Sequence, residues 1–202
     1  MDRSVDDERL AHVFELIEPV LAASLGLAGV IERDHTGSPD SVRMRRLAWL
    51  RDRVRPLGVP LWVNRRVDLA LAIEADGVQL TSRSPSTADI RRSFPKISVA
   101  RSCHSHAEAA VACLEGADFI LLSPVFAPIS KAPELGPLGL VALVAATRAL
   151  NRPVIALGGM SLDRLEAVSR AGAAGVATIG GVFNSDDPRA TVAAYVAYLR
   201  SD

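Results

Sequence analysis

Glu74-Ala75-Asp76-Gly77-Val78, Glu115-Gly116-Ala117-Asp118-Phe119 and Ala171-Gly172-Ala173-Ala174-Gly175-Val176 repeat one local pattern. Each stops a helix, passes through small residues and enters an apolar run. Working outward, further apolar runs lie at 29–31, 61–63, 97–100 and 154–157, beside those at 77–80, 119–122 and 175–179. All are short, flanked by Gly, Pro or polar residues, and mostly rich in Val, Ile or Leu. Such runs suit strands buried on both faces of a parallel sheet. Between them, helical spacing is visible at 107–114, 138–150, 162–169 and 191–199, and the chain opens on a helix at about 5–25. Strand and helix alternating through short loops make right-handed βαβ units. The pattern predicts an α/β chain of the (β/α)8 TIM-barrel class, with 1–202 as a single domain. It has seven strands, one fewer than a closed barrel of this class. The expectation is that the first β-strand is missing, or that Met1 is an internal start and the natural protein begins upstream. The alternative is a true seven-stranded or partner-completed barrel. An open edge would favour a homo-oligomer.

Composition narrows the function classes. The 23 basic and 23 acidic residues cancel, so the global basic bias of a nucleic-acid binder is absent. No apolar run approaches the ~18 residues of a membrane helix; the stretch at 13–28 is broken by Glu15, Glu18 and Pro19. The polar, acidic start is unlike a signal peptide. Cys103 and Cys113 fit no metal spacing and are too few for a disulfide scaffold. A cytoplasmic protein with reduced thiols is expected.

Barrels of this class place their chemistry at the C-terminal ends of strands. The residues just past each run are therefore the candidates. They are Glu32, Arg33 and His35; Asn64, Arg65 and Arg66; Gln79; Arg101, Ser102 and His104; Ser123, Ser130 and Lys131; then Gly158-Gly159 and Gly180-Gly181. Glycine pairs after the last two strands suit a phosphate, because backbone N–H groups can approach its oxygens. Gly159→Val is accordingly expected to remove phosphate binding and leave the chain folded. Lys131 is one of only two lysines, with Lys96, in a chain that otherwise uses arginine; a compact ammonium suits phosphate. His104 is either an acid/base or a hydrogen-bonded structural residue. Asp68 either bonds the preceding arginines or caps the next helix.

Taken in order, further segments resemble the thiamine phosphate synthase/TenI-like thiazole tautomerase superfamily along nearly the whole chain. They are Val63-Asn64-Arg65-Arg66-Val67-Asp68-Leu69-Ala70, Gly77-Val78-Gln79-Leu80, Arg101-Ser102-Cys103-His104-Ser105, Ser123-Pro124-Val125-Phe126, Ala156-Leu157-Gly158-Gly159-Met160 and Ile179-Gly180-Gly181-Val182-Phe183. The resemblance implies a ligand shaped like thiazole phosphate or thiamine phosphate. Synthases of this family join a pyrimidine diphosphate to a thiazole phosphate with Mg²⁺. Their Gln-x-Arg-x-Lys motif reads Ile31-Glu32-Arg33-Asp34-His35 here. Their Asn-Asp pair reads Asn64-Arg65, and a later Asp reads Ser84. The tautomerase branch moves a proton on a thiazole carboxylate phosphate; Arg-Ser-x-His-Ser and Gly-Gly-Met-Ser-x-Asp-Arg-Leu (158–165) stand closer to it, although Pro124 occupies its histidine position. The first expectation is thus a thiazole tautomerase without a cofactor. Its acid/base is sought among Glu32, His35 and His104, and its ligand contacts among Arg33, Asn64, Arg66, Gln79, Ser102, Ser130, Lys131 and the two glycine pairs. The alternatives are a synthase with an altered Mg²⁺ site, the only case calling for Mg²⁺, and a non-catalytic regulatory binder of a phosphorylated ligand.

Overall fold

The computed structural model describes residues 7–23, 29–34, 37–127 and 136–199, and each of the seven apolar runs contributes a strand. The chain divides into two compact units, Met1–Gln79 and Leu80–Asp202.

In the first unit, α1 (Asp7–Ala22), β1 (Val30–Glu32), α2 (Asp40–Val54), β2 (Leu61–Asn64), α3 (Val67–Ala72) and β3 (Gly77–Leu80) alternate. The strands are parallel, with Glu32 opposite Val63 and Asn64 opposite Gln79. Trp62 lies opposite Gly77, and its indole fills the space a side chain there would need, 2.3 Å from an ideal Cβ. Glycine is therefore required inside this strand. The sequence pattern gives little signal for α2, because seven of its fifteen residues, DSVRMRRLAWLRDRV, are arginine or aspartate. Its inner face is nonetheless regular: Arg43, Leu47, Leu50 and Val54 are all buried. Helix α1 closes over it through an edge-to-face contact of Phe14 with Trp49, centroids 5.4 Å apart. Arg53 lies over the same indole at 4.7 Å and bonds Glu18 at 2.9 Å.

The second unit contains α4 (Thr87–Ser93), β4 (Ser98–Cys103), α5 (His106–Leu114), β5 (Phe119–Leu122), α6 (Gly139–Ala149), β6 (Val154–Leu157), α7 (Leu165–Arg170), β7 (Gly175–Ala177), α8 (Gly180–Phe183) and α9 (Pro188–Leu199). Its four strands are parallel and pair in chain order. Ser86 and Ser105 start α4 and α5 by accepting from the N–H groups of Asp89 and Glu108. Leu122, Val125, Leu143, Val154 and Ala156 form one part of the core. Ala109, Ala112, Ala117 and Ile120 enclose Cys103 in another. Burial pushes the Cys103 thiol up to about 12, so it stays protonated and inert at neutral pH. These parallel strands, each leading into a helix, are the TIM-barrel class expected.

The repeated helix-to-strand pattern has a physical basis. Asp76 donates its N–H to the Leu61 carbonyl at 3.0 Å and accepts the Leu61 N–H on its carboxylate at 2.8 Å. Asp118 treats Val99 in the same way, at 2.8 and 2.7 Å. Each aspartate thus grips both polar groups of one residue on the preceding strand. Ala174 makes only the backbone half of this clamp, donating to Val154 at 2.9 Å.

Candidate functional site

At the strand ends of the first unit the structure links several candidates. Glu32 is buried and accepts from Arg43, whose Nη2 lies 2.6 Å from Oε2; Arg46 approaches its other oxygen at 3.5 Å. Arg43 also reaches the Asn64 carbonyl at 3.4 Å, and the Asn64 amide donates to Gln79 Oε1 at 3.1 Å. Glu32, Arg43, Asn64 and Gln79 therefore form one continuous buried polar chain across three strands. A carboxylate so occupied has the placement of a structural ion pair, with its oxygens turned to arginines. Neither Arg43 nor Arg46 was a sequence candidate. The signal was present as an arginine on the apolar face of α2, four residues before Leu47.

Arg66, expected to touch ligand, grips Asp40 at 2.5 and 2.8 Å and Asp68 at 2.8 and 2.5 Å. It ties the first residue of α2 to the first turn of α3. The local pairing of Asp68 is the one observed. Hydrogen bonds from Arg66 hold both carboxyls below the usual carboxylate range. Both groups bind fewer protons when folded than when unfolded. Their contribution to stability is complete above the ordinary value and is lost as pH falls through the lower folded values. A carboxyl NMR titration should place both midpoints below 3.8, and Arg66→Gln should raise them towards it. Ordinary midpoints in the unsubstituted chain would remove the clamp. Arg33 and Arg65 are exposed.

In the second unit His104 Nδ1 lies 2.6 Å from the Ser123 carbonyl. A carbonyl only accepts, so this nitrogen carries a proton and donates. The His104 N–H bonds Glu108 at 2.8 Å, which further fixes the residue above α5. Ser102 is buried on β4. Gly158 and Gly159 both take positive φ, 96° and 61°, and press on the loop after β5. Val125 and Phe126 donate to the carbonyls of Leu157 and Gly158 at 2.9 and 3.1 Å. Arg164, also missed by sequence, bonds the Gly159 carbonyl and stacks over the Phe126 ring at 4.6 Å. Close packing thus accounts for this glycine pair without a phosphate. Gly181 donates to Thr178 Oγ1 at 3.1 Å, while Gly180 opens α8 and has no acceptor within that helix. His35, Ser130 and Lys131 lie outside the described residues.

The Mg²⁺ of family synthases does not fit the groups present. A hard cation wants carboxylate and other oxygen ligands. Asp40 and Asp68 are taken by Arg66, Glu32 by Arg43 and Arg46, and Ser84 Oγ by the Thr81 N–H at 3.0 Å. Among the described residues no three Asp, Glu, His or Cys side chains come together as a metal site. No described helix is long and apolar enough to cross a membrane.

Comparison with known proteins adds a family. The model of the family described as thiamine monophosphate synthase matches residues 4–182. A thiamine-phosphate synthase of Chloroflexus aurantiacus is 36% identical over 166 residues, 82% of this chain and 77% of that protein. One from Roseiflexus castenholzii is 35% identical over 192 residues, 94% of this chain and 84% of that protein. The solved thiamine phosphate pyrophosphorylase of Pyrococcus furiosus superposes with a TM-score of 0.84 at 27% identity, covering 96% of this chain and 93% of that one.

Proposed function

We propose, for a chain that belongs to the thiamine monophosphate synthase/TenI family, that it is a thiamine phosphate synthase. Its place in thiamine biosynthesis follows from the family; the transferase activity is our reading. The observation that carries it is the sustained likeness to proteins named synthases, over 94% of the chain in one case. This supports the alternative above the tautomerase that the sequence put first. Two features count against a tautomerase. Glu32 is bound by two arginines, and Pro124 stands where that branch has histidine.

In the proposed reaction the bond between the pyrimidine methylene carbon and a diphosphate oxygen breaks. The electron pair leaves with diphosphate, and the thiazole nitrogen supplies the pair for the new C–N bond. No redox partner is needed. The chain's task is to orient two phosphorylated substrates and to stabilise departing negative charge.

The test is to incubate the full chain with the pyrimidine diphosphate and thiazole phosphate and to assay thiamine phosphate by chromatography. Product formation is expected. If no product forms but a thiazole carboxylate phosphate is isomerised with solvent proton exchange, the tautomerase replaces this reading. Ligand binding with neither activity leaves the non-catalytic binder.

A further inference from the structure

We propose, resting on the synthase reading, that Arg65 and Arg33 bind the diphosphate group directly, so that this chain recognises diphosphate without a divalent cation. The starting point is the mismatch described above: the carboxylates at these strand ends are already bound by arginine, and the family's second metal-pair position is itself Arg65.

The positions of the two cations favour this role. Glu32 pairs with Val63 in the parallel β1–β2 ladder. Arg33 and Arg65 therefore follow the C-terminal ends of adjacent strands, whose spacing is about 4.8 Å. Neither guanidinium has a hydrogen-bond or ion-pair partner among the described residues; Arg65 is exposed, while partial burial of the Arg33 guanidinium pushes its pKa below the ordinary arginine value. Their neighbours differ: Arg43, Arg46 and Arg66 are all engaged by carboxylates. Charge at this edge is thus divided between a neutralised layer and two unneutralised cations beyond it.

Arg65 is also fixed at its root. Its φ is 65°, a left-handed conformation that glycine would adopt more readily. Its N–H donates to the Gln79 carbonyl at 2.8 Å, and the Arg66 N–H donates to the Asn64 carbonyl at 2.9 Å. The backbone that carries this guanidinium is consequently held on both sides. A planar guanidinium presents paired N–H groups that match phosphate oxygens. Two of them can neutralise the charge that accumulates as diphosphate departs, which is the part a metal plays in the family's synthases.

The experiment uses the full chain and inorganic pyrophosphate, titrated by calorimetry in EDTA and again in Mg²⁺. Binding in EDTA is expected, at least as tight as in Mg²⁺, since the cation would cancel charge that the arginines recognise. Arg65→Gln and Arg33→Gln should each weaken it by roughly tenfold or more. Arg65→Lys should retain part of it. Circular dichroism melts establish that the variants fold, and neither side chain makes a described contact that folding would lose. Absence of binding in EDTA with binding in Mg²⁺ overturns the proposal, and so does an EDTA affinity unmoved by both glutamine substitutions. The synthase reading is tested separately by thiamine phosphate formation. Pyrophosphate binding in EDTA without coupling removes that reading and keeps this one; coupling that requires Mg²⁺, with no binding in EDTA, does the reverse.

Discussion

Gly159→Val is expected to destabilise the chain by about 3–5 kcal/mol and to lower Tm by roughly 6–15 °C. The residue has φ 61°, where any side chain crowds its own backbone and a β-branched one does so most. An ideal Cβ would lie 2.6 Å from the Ala127 carbonyl oxygen and 2.9 Å from Phe126 Cβ. The first is a backbone atom, and its loop cannot easily retreat because the Phe126 N–H is bonded to the Gly158 carbonyl at 3.1 Å. The expectation that this substitution would leave the chain folded is thereby corrected: it confounds ligand loss with loss of structure. Thermal and urea melts of the single variant decide the matter. An unchanged Tm would mean that the close approach is not real, and the glycine could again be assigned to a phosphate.

Glu32→Gln should cost about 3 kcal/mol, because breaking the buried pair leaves Arg43 with only the Asp34 carboxylate, 3.9 Å away, and Arg46 with only that of the exposed Asp7. Arg43 and Arg46 have side chains only 10% and 12% exposed, so water cannot fully replace the lost carboxylate. Replacing both members of the central pair, Glu32→Leu with Arg43→Met, should recover much of the loss, since apolar residues of similar volume often substitute for a buried ion pair. Urea denaturation of the two variants measures this directly. If Glu32→Gln instead keeps full stability and abolishes turnover, the carboxylate is catalytic and the ion-pair assignment fails.

The strands were legible because their residues are short apolar runs between breakers, and the structure moves their ends by only a few residues. Helix α2 was not, because arginines and aspartates outnumber the apolar residues that face inward. The candidate site was legible as a set of positions but less so as a set of roles. Strand-end location singles out Glu32, Asn64, Gln79 and Arg66 as candidates, and the structure finds each hydrogen-bonded to another side chain. It could not say that Arg43, eleven residues further along, would occupy Glu32, or that Asp40 would occupy Arg66. Those partners come from a different element, and a list of strand ends contains only one side of each pair. His104 illustrates the same gap: its partner is a backbone carbonyl, which leaves no trace in side-chain identity.

The aspartate clamps at Asp76 and Asp118 bear on misregistration. A parallel strand that slips by one residue turns its core-facing side chains outward. At these two joints a slip would also break two hydrogen bonds to one residue, Leu61 or Val99. The joint before β7 has Ala174 and lacks the carboxylate half, and β7 itself has only three residues. Within the second unit the β6–β7 pairing is therefore less firmly held in register than β4–β5, and it should fray more readily.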